Sequence, residues 1–183
     1  KKRKGLKQLL QIAIVGLVWI DGNVGRMIQT VQQHFTIILC LAAFDVNFAE
    51  ISKKIEKVAL SKENACDKLI AFASFYLNEF KEISSKGGCP LLNAAIDSDH
   101  VHPPLKKRVA EAIESWINAV TKIIHSGIKR KQIEPNAKPE QFASVFVSLI
   151  EGGIMLSKAT GNTIHLSRNI DQIIHLVNAE LRL

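Results

Sequence analysis

The sequence predicts an all-α protein. Three observations carry that expectation. Apolar residues recur at three- and four-residue steps over most of the chain. No stretch of strand length alternates with period two beside hairpin chemistry. Only five prolines and ten glycines punctuate 183 residues, which leaves room for long regular elements. Hydrophobic residues make up 47% and charged residues 22%, the balance of a folded chain with a sizeable core. One stretch organises the rest. Residues 139–156, PEQFASVFVSLIEGGIML, place Phe142, Val145, Phe146, Val147, Leu149, Ile150, Ile154, Met155 and Leu156 on more than one helical face. A helix that is apolar nearly all round must be covered nearly all round. Its length and Glu140, Gln141 and Glu151 argue against a membrane span, and no other stretch reaches a convincing span length. The expected covers are the chain's own core on one side and a second copy on the other. Gly152 and Gly153 would let another backbone approach.

Taken in order, residues 1–35 are the least regular. Leu6, Leu9, Leu10, Ala13, Leu17 and Ile20 can share a helical face. Asp21-Gly22-Asn23 reads as a turn, and a further helix is expected from Met27 to Phe35. The basic run Lys1, Lys2, Arg3 and Lys4, followed by LLQIAIVGLVWI, has the charge and apolar order of a signal peptide, but DGNVGR follows in place of a small-residue cleavage site.

From 39 to 60, Leu41, Phe44, Phe48, Ile51, Ile55 and Val58 form an amphipathic stripe. Ser61 is the expected N-cap of the next helix. Its stripe is Leu69, Phe72, Ala73, Tyr76, Leu77 and Phe80, and Gly87-Gly88 is its expected stop. Pro90 suits the first turn of a short helix over 91–96. Asp97, Asp99, His100 and His102 cluster next, at a spacing that matches no strong metal motif, so a polar loop and no metal are expected. Pro103-Pro104 opens a long helix with the stripe Leu105, Val109, Ile113, Trp116, Val120, Ile123 and Ile124, ending near Gly127. Ile133-Glu134-Pro135-Asn136 is a connector. The 139–160 helix closes at Gly161-Asn162, and Thr163 is the expected cap of a last helix with Leu166, Ile170, Ile173, Ile174, Val177 and Leu181 on its apolar side.

Chemistry is sparse. There is no GxSxG, P-loop, dinucleotide fingerprint or HExxH, so neither enzyme activity nor a cofactor is expected. Cys40, Cys66 and Cys89 are odd in number and show no CxxC spacing, which fits a reduced, cytoplasmic setting. Cys89 at a helix start has no assignable base, so a structural role is expected. His125, His165 and His175 stand singly. The net charge of +7 and pI near 9.4 fit a nucleic-acid or other anionic partner.

Gly88-Cys89-Pro90-Leu91-Leu92-Asn93-Ala94-Ala95, then Pro104-Leu105, Trp116, Gly127 and Glu151-Gly152-Gly153-Ile154, resemble the ligand-binding half of TetR-family transcriptional regulators, in the branch with a GCP-type segment before its central helices. The likeness covers roughly residues 39–183. It implies a homodimer with an N-terminal helix-turn-helix over 1–40 and a helical ligand-binding and dimerisation domain over 41–183. The last two long helices would form a four-helix bundle with those of the partner. Lys1, Lys2, Arg3, Lys4 and His34 are then the DNA-contact candidates. Pocket candidates are Phe72, Phe75, Tyr76, Leu92, Asn93, Trp116 and Phe146, suited to an apolar or aromatic inducer. Interface candidates are Phe142, Phe146, Leu149, Gly153, Ile154, Ile170, Ile173, Ile174 and Val177. The expected partners are DNA, an inducer and a second copy, and not a membrane. The expected function is a ligand-responsive repressor.

The N-terminal third departs from the family pattern. His34, Phe35 and Leu41 match, but Gln32 stands at the Tyr position and Thr36-Ile37-Ile38-Leu39 replaces a Lys-containing link. A helical dimeric binding module without DNA binding is the competing reading. The N-terminal apolar run leaves a secreted or tethered helical protein as a third.

Overall fold

The computed structural model describes residues 22–86, 88–98 and 103–183. They form seven helices: α1 Gly22–Leu60, α2 Ala65–Asn78, α3 Phe80–Ser85, α4 Pro90–Ser98, α5 Pro103–Lys129, α6 Pro139–Thr160 and α7 Ile164–Leu176. A π-helical turn, Val177–Leu181, follows. No strand occurs among the described residues; one isolated bridge joins Ile133 and Arg182. The chain divides into compact units over residues 1–40 and 41–183.

In the first unit, residues 22–40 are helical throughout. The expected turn therefore does not extend to Gly22 and Asn23. The expected link at 36–39 is helix as well, with the Thr36 hydroxyl donating to the Gln32 carbonyl at 2.9 Å, one turn back. β-branched Thr36, Ile37 and Ile38 offer no glycine or proline to stop a helix there. Lys1, Lys2, Arg3 and Lys4 lie outside the described residues, as do the His34 side chain and the 99–102 part of the Asp/His cluster.

The second unit is built on α5 and α6. α5 buries Leu105, Val109, Ala112, Trp116, Val120, Ile124 and Gly127, a stripe at three- and four-residue steps. α6 buries a wider face: Phe142, Ala143, Phe146, Val147, Ile150, Gly153, Ile154 and Ser157. Pro139 starts α6 in its first turn, and Gly161 ends it in the left-handed conformation at φ +69°. A short turn brings α7 back antiparallel on α6. A Cβ at Gly153 would lie 3.1 Å from the Leu166 Cα, so the two backbones meet there, whereas Gly152 has only Asn169 near it. The Ser157 hydroxyl accepts from the Leu166 N–H at 3.0 Å, and the Asn169 amide donates to the Leu149 carbonyl at 2.8 Å.

Three cap assignments differ from expectation. Asn64, not Ser61, caps α2, accepting from the Cys66 N–H at 2.8 Å. The Ser61 hydroxyl turns back to the Val58 carbonyl. α2 stops at Asn78 instead of running to Gly87, and α3 forms a separate short helix. Gly88, at φ +95°, donates to the Ile83 carbonyl at its end. Thr163 makes no side-chain cap; Asn162 Oδ1 accepts from the Ile164 N–H at 3.0 Å. The connector residue Ile133 is buried at 1% exposure. The chain end ties down beside it: Glu134 N–H donates to the Leu181 carbonyl, and Arg182 Nη2 reaches Asp67 Oδ1 at 2.6 Å.

Candidate ligand site

Four pocket candidates converge. Phe72 and Tyr76 sit one turn apart on α2, so both face α5 and α6. Phe72 meets Phe146 edge to face at 5.3 Å between ring centroids and Trp116 at 6.1 Å. Tyr76 meets Trp116 at 5.9 Å. Phe48 of α1 closes the other side of Trp116 at 5.4 Å, and the indole N–H donates to the Ser52 hydroxyl at 3.1 Å. Such edge-to-face contacts add to plain area burial. These rings are close-packed. Leu92 is a partly buried member of the surrounding core rather than part of the ring cluster.

A polar group lies at the edge of this cluster. Cys89, immediately before α4, is fully buried, and its thiol donates to Glu151 Oε1 at 3.2 Å. The other carboxylate oxygen, Glu151 Oε2, is sealed from solvent and has no hydrogen-bond partner; the same holds for the Tyr76 hydroxyl. Among the described residues no Lys or Arg forms an ion pair with Glu151. Lys158, further along α6, donates to Asn93 Oδ1 at 2.9 Å. Burial lifts the Glu151 carboxyl from its ordinary 4.5 to about 7, with the Cys89 hydrogen bond opposing the rise. Burial, then the charge of Glu151, pushes the Cys89 thiol well above its usual range. That removes the thiolate character its place at a helix start would favour. Burial likewise pushes Tyr76 well up, with Cys89 and Glu151 adding to it.

A cleft of about 110 Å³ opens beside this group, walled by α1, α2, α3 and the start of α4. Phe75, Gly88, Pro90 and Asn93 line its inner side. The Phe75 ring lines the cleft and stands edge-on to Tyr76 at 5.5 Å, while Tyr76 itself does not line it. Four charges ring the mouth: Lys54 contacts Glu50 at 3.5 Å and Glu82 at 2.9 Å, and Lys86 contacts Glu50 at 3.2 Å and Glu82 at 2.7 Å. The two lysines, Lys86 first, hold Glu82 down at about 2, and Lys86 does most to lower Glu50.

The sequence reading missed Glu151, Cys89 and the charged ring as site features. The signal for Glu151 was present: it is a lone carboxylate inside an otherwise apolar helix. Its pairing with Cys89 spans 62 residues and has no local signature.

Most of the interface candidates turn inward within the protomer. Phe146, Ile154, Ile170, Ile173 and Val177 are each no more than 1% exposed, Phe142 is 9% exposed and Gly153 is buried under Leu166. They hold α6 to α7 and the core within one protomer. Leu149 and Ile174 are only partly buried. The apolar residues left outward on this pair are Val145, Met155, Leu156 and Ile164, each 39–46% exposed. Phe35–Leu60 and Pro139–Thr160 are long and apolar enough to cross a membrane by length and composition alone, a test that core helices also meet. In Pro139–Thr160 much of that apolar surface is core.

The GCP-type segment and the Glu151-Gly152-Gly153 segment thus meet at one point in space. The sequence profile described as "Tetracyclin repressor-like, C-terminal domain" matches residues 65–173, more than half of the chain. The chain belongs to the TetR family of transcriptional regulators. This is a family of regulators, not of enzymes. Two solved structures agree. A TetR transcriptional regulator from Chloroflexus aurantiacus J-10-FL is 27% identical, with a TM-score of 0.72, over 79% of this chain and 73% of that one. A TetR-family regulator from Cytophaga hutchinsonii is 28% identical, with the same TM-score, over 76% and 70%. No curated protein matches this sequence.

Proposed function

We propose that this TetR-family regulator is a cytoplasmic, homodimeric repressor that a small molecule releases from operator DNA. The observation that carries the reading is the buried group at Tyr76, Cys89 and Glu151. Of the three sealed polar side-chain atoms without a protein partner among the described residues, Tyr76 and Glu151 hold two within one group and Thr121 the third elsewhere on α5; each such atom costs about 1–3 kcal/mol. A ligand that pairs with the two in this group recovers that energy only in the conformation it binds, which is the requirement for shifting a two-state equilibrium. In this reading residues 41–183 form the ligand-binding and dimerisation domain, with Phe72, Phe75, Tyr76, Trp116 and Phe146 around the ligand and Asn93 in the cleft beside it. The second copy docks on the outward stripe of α6, Val145, Leu149, Met155 and Leu156. Residues 1–40 form the DNA-contacting region: Lys1, Lys2, Arg3 and Lys4 on phosphates and His34 near the base edges.

The test is DNA binding by the whole chain across salt concentrations. A repressor binds the DNA upstream of its own coding region more tightly than scrambled DNA, with affinity falling steeply as salt rises. Equal, weak binding to both would remove the repressor reading. One observation favours a second reading, a dimeric binding module without DNA contacts: the uninterrupted helix over residues 22–40, where the family pattern has a link after its recognition helix. Equal binding to both DNAs is what that reading expects.

A further inference from the structure

Among the described residues, Glu151 is a buried carboxylate that no cation pairs with. Its Oε1 takes the Cys89 thiol, its Oε2 has no protein hydrogen-bond partner, and no Lys or Arg pairs with it among the described residues. A buried carboxylate in this state is complemented by a cation, whose charge offsets the desolvation that otherwise keeps the acid neutral. The neighbours point the same way. The Tyr76 hydroxyl offers a second oxygen, also unpartnered. Tyr76 also brings aromatic surface: its ring meets Phe75 at 5.5 Å and Trp116 at 5.9 Å, and aromatic rings beside a carboxylate suit an organic cation. Around the cleft Glu50, Glu79 and Glu82 stand against Lys54, Lys86 and Lys158, whose ammonium lies beside Gly88, so the entrance carries no net charge and selection for a cation falls to Glu151.

We propose that the effector is a small lipophilic cation, its charge held between Glu151 Oε2 and the Tyr76 hydroxyl and its apolar body in the cleft lined by Ile51, Phe75, Ile83 and Pro90. It enters through the cleft beside Gly88 and Pro90. Phe75 is the ring it must displace, since Phe75 both lines the cleft and stands against Tyr76. The proposal rests on reading the 41–183 unit as a ligand-binding domain, and it narrows the inducer from apolar or aromatic to cationic.

The probes are benzyltrimethylammonium and its uncharged isostere neopentylbenzene, with phenylacetate as the anionic control. Binding to the full chain is read by intrinsic fluorescence and by the shift in unfolding temperature. The expected result is that the cation binds about tenfold or more tightly than the isostere. That preference disappears in Glu151→Gln and weakens in Tyr76→Phe, which loses only a hydroxyl and serves should the first variant fold poorly. An isostere that binds as tightly as the cation, or a preference that survives Glu151→Gln, overturns the proposal. Binding of the isostere or phenylacetate without the cation overturns the cationic assignment and leaves the ligand-binding reading standing. No binding by any of the three, with DNA affinity unchanged by all of them, overturns both.

Discussion

Replacing Glu151 by Gln should change stability by an amount that depends on pH, and the structure sets its size. In the folded protein the carboxyl titrates at about 7; in the unfolded chain it returns to its ordinary 4.5. Below 4.5 both states hold the proton and pH has no leverage through this group. Between 4.5 and 7 the unfolded chain has lost the proton while the folded protein keeps it, so unfolding releases a proton and stability falls as pH rises. Above 7 both are ionised and the loss is complete. The gap of roughly 2.5 pH units, at about 1.4 kcal/mol each, amounts to about 3 kcal/mol. That is a large part of the 5–15 kcal/mol that holds a typical domain together, to order of magnitude.

The glutamine side chain of Glu151→Gln carries no charge at any pH. The variant should therefore match wild type, or fall about 1 kcal/mol below it, at pH 5, where the extra amide donors lack partners. At pH 8 it should exceed wild type by about 2 kcal/mol. The assay is urea unfolding followed by helical circular dichroism at pH 5, 6, 7 and 8, at one protein concentration. Other titrating groups are shared by both proteins and cancel in the difference. The groups facing Glu151, Cys89 and Tyr76, are pushed well up and stay neutral through this window. A stability difference that stays flat within about 0.5 kcal/mol from pH 5 to 8 would refute the reasoning, because it would mean that the carboxylate ionises normally.

Six further substitutions test the packing. At Gly127, a Cβ would lie 2.6 Å from Ile133 Cδ1 and 2.7 Å from the Ala65 Cβ; the isoleucine tip can turn but the alanine cannot, so Gly127→Ala should lower stability by about 1–2 kcal/mol despite the better helix propensity of alanine, measurable as a fall in unfolding temperature. Asn64→Ala removes the α2 cap and should lower stability by about 1 kcal/mol, whereas Ser61→Ala should do almost nothing; equal effects in urea unfolding would put the cap in the wrong place. Met155→Glu and Leu156→Glu charge the outward face of α6 and should leave the helical signal intact while shifting sedimentation from dimer to monomer. Ile154→Asp should instead unfold the protomer, since Ile154 is 1% exposed.

Elements bounded by strong punctuation could be read directly. α5 begins at Pro103 and α6 runs from Pro139 to Thr160 before the left-handed Gly161, as their prolines and glycine require. Boundaries chosen by distant contacts could not. Ser61 and Asn64 are both competent caps, and what ties the helix start at Ala65 is its N–H donating to Gln132 Oε1, 67 residues away. Nor does any residue near Glu79 announce the break between α2 and α3; the short α3 instead carries Glu82 to the lysines at the cleft mouth. The same distinction holds at the site. Helical period alone placed Phe72, Tyr76, Trp116 and Phe146 on inward stripes, and three inward stripes must converge. Period cannot say which charged residue is sealed in among them.

Most of the interface candidates turn inward for a related reason, and that placement constrains the mechanism. Reading an apolar stripe finds residues that must be covered but not what covers them. On α6 and α7 the best-patterned residues cover each other, and the outward face is the weaker stripe Val145, Leu149, Met155 and Leu156. Glu151 lies between these faces, one residue before Gly152 and less than two turns from Leu156. A helix of this length moves nearly as a rod over such a span. Any adjustment of α6 that admits a ligand at Glu151 therefore carries Met155 and Leu156 with it. The buried carboxylate and the proposed contact with a second copy are then coupled through one helix, with no chain of intermediate residues needed to transmit the change.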